Sequence, residues 1–354
     1  MRSKSNKREF LQLCHTYDPK KHHIAGWFLS EKLDGMRAYW DGGITRGLPV
    51  DQVPWANTEK DGRYIIKPVA TGLWTRHGKI IQAPVRFLES LPKFPLDGEL
   101  YMGRGRFQDV MRTCKDLTPG LGWDKVKYVV FDAPSYKAMF QDGEIKNSNF
   151  KKHMKGAFEW VRCRLRQNEL TVPKNFESTY RFLNKMIVGD YNIELLPQYR
   201  LPFTSNEATE RLECILDMIC REGGEGVVLR NPVFSWEPLR SHYSLKYKPW
   251  HDAEATVVGY TSGRETELGS KLLGMMGALI VDWKGKRFKV SGFTDQERKF
   301  SSGSDYAQNH SDEDVTSHVT NDNFPLQTAI TFKYRELTED GIPKEARYYR
   351  KYQE

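Results

Sequence analysis

Lys32-Leu33-Asp34-Gly35-Met36-Arg37 reads as K-x-D-G-x-R. An Asp-Gly corner sits between two strand-like runs, Gly26–Ser30 and Met36–Trp40. By composition the pattern would arise by chance in about one chain in a hundred of this length, so on its own it is equally a plain β-turn. Its weight comes from four segments that follow in order: Leu96-Asp97-Gly98-Glu99-Leu100, Val129-Val130-Phe131-Asp132, Glu225-Gly226-Val227-Val228-Leu229-Arg230 and Leu245-Lys246-Tyr247-Lys248.

Outward from these segments the texture is that of two domains, expected at 1–250 and 251–354, the usual outcome for 354 residues. Short apolar strands punctuated by Gly and Pro fill much of the first part, including Gly98–Met102, Lys127–Phe131, Gly226–Arg230 and Leu245–Lys248. Residues 1–26 read as a loose lead-in, and Asp41–Leu73 as surface loop. A basic amphipathic helix is expected over 151–168, and a second from Ser205 to Glu222. Thr204 and Glu207 have capping-box spacing, and Gly223–Gly224 ends that helix. After His251 come short strands at 254–260, 277–283, 286–292 and 328–334, with a polar, acidic stretch at 301–323. Several short strands in about a hundred residues suit an OB-type barrel.

Residues 1–251 carry 40 basic and 29 acidic side chains, whereas 252–354 carry 14 and 17. The basic first part suits a polyanionic partner. Five cysteines stand singly, which argues against a disulfide framework or zinc cluster and for a reducing, cytoplasmic setting. The basic N-terminus lacks the apolar core of a secretory signal, and no apolar run reaches the roughly 18 residues of a membrane span, so no membrane association is expected.

The ordered motifs resemble those of the covalent nucleotidyltransferase superfamily, which comprises ATP-dependent DNA ligases, RNA ligases and mRNA capping enzymes. Within it the chain looks like the small viral, phage and bacterial ATP-dependent DNA ligases. Trp74-Thr75-Arg76-His77-Gly78 is similar to that branch's second motif, and Lys246 to Ala255 to its domain-junction motif. Gly274–Leu279 and Gly292-Phe293 resemble segments of its OB domain. The resemblance covers about residues 25–350. It implies an α+β fold: an ATP-grasp-like nucleotidyltransferase domain of antiparallel sheets and helices, followed by an OB-fold β-barrel.

The same resemblance assigns chemistry. Lys32 is the expected nucleophile on the α-phosphate of ATP. A free lysine, with a pKa of about 10.4, is almost wholly protonated at neutral pH. It needs cations or desolvation to shed its proton, and Lys246 and Lys248, on one face of a strand, are expected to supply that field. Asp34 and Gly35 shape the turn that presents Lys32, with Gly35 expected to use a positive φ. Arg37 and Arg76 are candidate phosphate clamps. Glu99 is expected to bind the ribose, Phe131 to stack on adenine, and Glu31 to touch adenine through its backbone. Glu225 and Glu99 are candidate ligands for Mg²⁺, with Mn²⁺ as a substitute. The ending Pro343–Arg350 aligns with the last family motif through Arg350, or next Arg347, but Tyr352 stands where an aspartate is usual.

The partner expected is nicked duplex DNA, held by a monomer, with Arg264 and Lys271 in a loop near it. About 31 residues precede Lys32, too few for the helical DNA-binding domain of larger ligases. The absence of zinc-finger cysteines argues against the NAD-dependent class. An RNA ligase and a GTP-dependent capping guanylyltransferase are the rival readings, and a non-catalytic DNA clamp is the third.

Overall fold

The computed structural model describes residues 10–57, 68–140, 156–165, 172–188, 192–263, 272, 274–301, 320–338 and 340–352. The chain divides into two compact units, Met1–Tyr247 and Lys248–Glu354. Arg264, Lys271 and most of the acidic stretch at 301–323 lie outside the described residues. Among the described residues no helix is long and apolar enough to cross a membrane.

Among the described residues the first unit carries ten strands. They are β1 (Leu13–Thr16), β2 (Phe28–Glu31), β3 (Met36–Asp41), β4 (Leu73–Thr75), β5 (Pro95–Tyr101), β6 (Lys127–Asp132), β7 (Ile193–Leu195), β8 (Tyr199–Arg200), β9 (Val227–Arg230) and β10 (Arg240–Tyr247). Its helices are α1 (Val85–Glu89), α2 (Phe107–Lys115), α3 (Tyr136–Phe140), α4 (Ala157–Arg162), α5 (Phe176–Met186) and α6 (Ser205–Arg221). The strands form two five-stranded sheets, ordered β1-β10-β9-β2-β8 and β4-β3-β5-β6-β7.

Alternation along the strands decides which side of each sheet is core. In the first sheet Leu29, Val227, Leu229 and Leu245 pack on one face against Ala208, Leu212, Ile215, Leu216 and Ile219 of α6. Those α6 positions recur every three or four residues, the spacing of a single helical stripe. In the second sheet Met36, Ala38, Trp40, Leu96, Leu100, Tyr128 and Val130 pack with Phe87, Val110 and Leu183 from the helices. The opposite faces are mixed, with Ser30 and Lys246 on the first sheet and Arg37 and Glu99 on the second, and the candidate site is built from them.

Four expectations change here. The lead-in is not loose from residue 10 onward, since Phe10 and Leu11 are buried and β1 pairs in parallel with β10. The stretch after Asp41 is not surface loop. Val50, Val53, Trp55 and Ala70 join Tyr39 and Trp74 in a second core, although 58–67 lie outside the described residues. The helix expected over 151–168 appears as α4 with ends at Ala157 and Arg162, its lysine-rich start lying outside the described residues. At α6, Thr204 makes no bond to the helix backbone, and its hydroxyl donates to the Glu207 carboxylate at 2.6 Å. Gly223 (φ 81°) then ends the helix in the left-handed region that glycine favours.

The second unit is a barrel. Strands β11 (His251–Ser262), β12 (Met276–Trp283), β13 (Lys286–Val290), β14 (Ala329–Tyr334) and β17 (Arg347–Lys351) run in the order β13-β12-β11-β14-β17. The short pair β15 (Glu336–Leu337) and β16 (Pro343–Lys344) forms a separate hairpin. The Tyr348 N–H donates to the Ser291 carbonyl at 2.7 Å, so the last strand closes onto the end of β13. Tyr260, Leu279, Val281, Val290, Phe324 and Phe332 fill the interior. Closure leaves no free edge between the first and last strands, the arrangement of an OB-type barrel.

Candidate active site

The site is built by register. In the first sheet Ser30 lies opposite Val228, and Val228 opposite Lys246, so these three share the face turned away from α6. Lys32 continues the Phe28, Ser30 alternation onto the same face, and its N–H donates to the Gly226 carbonyl at 2.8 Å. In the second sheet Arg37 lies opposite Glu99 and Glu99 opposite Val129. Phe131 is two residues further on that face. The structure thereby brings Lys32, Glu225, Arg37, Glu99, Phe131 and Lys246 to one cleft within the first unit.

Lys32 donates to the Glu225 carboxylate in a short, half-buried ion pair. Burial of the amine would lower its pKa, but Glu225, Glu99 and Asp34 outweigh that and raise it. Without nucleotide or metal, the amine is held as a paired ammonium. Glu99 is instead pushed toward its neutral form. Burial pushes its carboxyl up to about 8, against the pull of Lys32 and Arg37.

Arg37 is already engaged. Its Nε and Nη2 donate to the two oxygens of Asp97 at 2.9 and 2.7 Å, and its Nη1 to the Gln12 carbonyl at 2.6 Å. Asp97 also accepts from the Trp236 indole at 2.9 Å. Asp97 is fully buried, so this pairing holds its charge in the interior. Phe131 packs with Val129 and Leu196, and Leu33 and Tyr101 lie against that cluster. The guanidinium of Arg230 lies 4.7 Å from the Phe131 ring and that of Arg37 5.3 Å from it, so the ring packs against two cations.

Gly35 corrects the sequence reading. Its φ is not positive, and the constraint is close approach: a Cβ there would stand 2.3 Å from the Leu100 carbonyl oxygen and 2.8 Å from the Glu99 Cγ. Gly98 is held for the same reason, with Val129 oxygen and the Tyr128 ring each 2.7 Å from the space a Cβ would take.

Three candidates stand apart. Arg76 is exposed on the turn after β4. Lys248 opens the second unit, with its amine 3.9 Å from the Glu336 carboxylate. Arg350 is exposed on β17, opposite Thr331. Sequence reasoning gave no role to Gln12, Trp236 or Arg104. Arg104 binds the Glu31 side chain, of which only the backbone had been expected to matter. No local signal marks these residues, because each acts through a partner far away in the chain.

Two carboxylates, Glu225 and Glu99, flank the Lys32 amine, and among the described residues no group of three or more His, Cys, Asp or Glu side chains could hold a metal. That donor set fits Mg²⁺, which usually takes one or two protein carboxylates and completes its shell with phosphate and water.

The chain is similar to known proteins over nearly its whole length. Residues 267–351 match the DNA ligase OB-like domain family. The chain is 28% identical over 341 residues to the DNA ligase of Haemophilus influenzae, covering 96% of this chain and 91% of that one. It is 26% identical to a structure from a study of Lig E DNA ligases and DNA binding with a minimal scaffold, with a TM-score of 0.61 and coverage of 97% of this chain and 98% of that one. These likenesses, which run nearly the whole length of the chain, make it similar to DNA ligases, with an OB-like domain matched at 267–351.

Proposed function

We propose that this protein seals nicks in duplex DNA through an adenylated Lys32. The observation that carries the reading is the ion pair of Lys32 with Glu225, with Glu99 close enough to act on the same amine and Phe131 two residues on from Val129 on the sheet face of Glu99. In the first step the Lys32 nitrogen bonds to the α-phosphorus of ATP as the bond to the β-phosphate breaks, and pyrophosphate leaves. In the second, AMP passes from Lys32 to the 5′-phosphate at the nick. In the third, the 3′-hydroxyl attacks that phosphorus and AMP leaves.

The chain's own groups set up the first step. Lys32 must exchange its ammonium state for a free amine, which requires Glu225 to leave it for another cation and Glu99 to give up its proton before it too can hold one. A divalent ion on those carboxylates, Mg²⁺ or Mn²⁺, would supply charge neutralisation at the phosphate oxygens. Lys246, on the face of Lys32, adds positive field as phosphate charge grows. Phe131 supplies the stacking wall for adenine and Glu99 an acceptor for the ribose. Arg37, fixed by Asp97, offers its guanidinium edge to phosphate. Arg76 on its exposed turn reaches the DNA phosphate. The protein works as a cytoplasmic monomer, with nicked duplex DNA as its substrate.

Mass spectrometry of the protein with ATP and Mg²⁺ tests this. One AMP should be gained on Lys32, GTP should not replace ATP, and nicked duplex DNA should be sealed in preference to single-stranded RNA. Lys32→Ala should take up no AMP. Sealing by Lys32→Ala at the wild-type rate would refute the mechanism.

A further inference from the structure

Arg104 lies in the loop between β5 and α2. It grips Glu31 with two bonds, Nε to Oε1 at 2.8 Å and Nη2 to Oε2 at 2.9 Å. Its Nη1 donates to the Glu222 carboxylate at 2.7 Å and to the Glu222 carbonyl at 3.2 Å. Glu31 immediately precedes Lys32. Glu222 caps the C-terminal end of α6, three residues before Glu225. A single side chain therefore ties together the two segments that carry the nucleophile and its carboxylate partner.

The geometry of this tie is specific. A planar guanidinium meets a carboxylate with two parallel bonds at a fixed angle, which a lysine ammonium cannot reproduce. A cation at the last carbonyls of α6 is also favoured by the helix dipole. Glu31 crosses directly over Gly224, where a Cβ would stand 3.0 Å from Glu31 Oε1 and 2.4 Å from Ile219 Cγ2. The ladder between β2 and β9 fixes the far end of the Glu222–Glu225 turn, through Glu31 opposite Val227 and the Lys32 N–H on the Gly226 carbonyl. Arg104 fixes the near end. Its side chain is 30% exposed and that of Glu222 60%. Ion pairs so open to solvent add little stability, so what this one contributes is position.

We propose that Arg104 is a positioning residue for lysine adenylation: by pinning Glu31 and Glu222 it sets the separation of Lys32 from Glu225 and the line of the amine toward the α-phosphate. This rests on the adenylation reading above.

The test separates the steps, using the full-length protein. Single-turnover transfer of AMP from ATP to Lys32 is compared with sealing of a nick whose 5′ end is already adenylated, which bypasses that transfer. Arg104→Ala should slow self-adenylation roughly ten- to a hundredfold, the scale of a small misplacement of reacting groups. It should slow sealing of the pre-adenylated nick far less. Glu31→Gln should reproduce the pattern, and Arg104→Lys, which keeps the charge without the fork, should recover only part of the rate. Equal losses in both reactions, a wild-type adenylation rate in Arg104→Ala, or full recovery with Arg104→Lys would overturn the proposal. If the wild-type protein itself takes up no AMP, the adenylation reading fails and this inference falls with it, an outcome distinct from a failure confined to the Arg104 variants.

Discussion

Glu99→Gln should flatten the fall in stability that the ligand-free protein shows as pH rises from 7 to 8. In the folded chain burial carries the Glu99 carboxyl from 4.5 to about 8. The folded state therefore keeps a proton that the unfolded state has released, and stability must fall with rising pH across that window. Each proton difference is worth about 1.4 kcal/mol per pH unit. With a folded value of about 8, Glu99 is mostly protonated at pH 7 and half protonated at pH 8, so it alone costs about 1 kcal/mol over that interval. For a unit of this size that is a drop in Tm of roughly 2–4 °C. Asp132, pushed up to about 7 by burial, adds a smaller loss of the same sign, and it remains in the variant. His15, whose pKa is lowered by burial, titrates mostly below this window. Thermal melts of both proteins at half-unit pH steps, with chelator and without nucleotide, read the difference. Equal slopes for wild type and Glu99→Gln would refute the reasoning, because the carboxyl would then not be held neutral between the sheets.

Asp97→Asn should be strongly destabilising, because it leaves the Arg37 guanidinium in the interior without its counter-charge. A loss of about 3 kcal/mol, or roughly 6–12 °C in Tm, is expected. A change under about 2 °C would mean that Arg37 finds water or another partner there. Gly98→Ala should force apart β5 and β6, since its Cβ would meet Val129 oxygen and the Tyr128 ring at 2.7 Å. Overpacking of this kind costs about 1–3 kcal/mol, read as a lower urea midpoint. An unchanged midpoint would show that the strands separate freely at that point.

Much of the frame was legible because strand alternation is local. Met36–Asp41, Lys127–Asp132 and Val227–Arg230 can each be read from apolar runs bounded by turn residues. The closed barrel after His251 was legible in the same way. What alternation does not give is partnership. The start of β10 at Arg240 was missed because Arg240–Ser244 is polar and becomes a strand only by pairing with β1 and β9. The second core around Trp55 was read as loop because its Gly and Pro residues hide apolar side chains that meet only after Trp74 and Phe140 arrive from elsewhere. The Lys32 motif identifies the cleft, but Trp236 reaches Asp97 across 139 positions and Arg104 reaches Glu31 across 73.

The larger misreading was electrostatic, and it says something about how the site works. A motif-level view sees lysines and arginines awaiting a phosphate. The folded cleft instead satisfies its cations internally: Lys32 is bound by Glu225 and Arg37 by Asp97. Burial leaves Glu99 largely protonated near neutral pH, so the site does not carry surplus negative charge. Such a balance keeps the Lys32 amine paired when no ligand is bound. Under the proposed adenylation of Lys32, an entering polyanionic nucleotide would draw Glu225 from that amine to a new cation, so that nucleophile activation and substrate binding would be one electrostatic exchange.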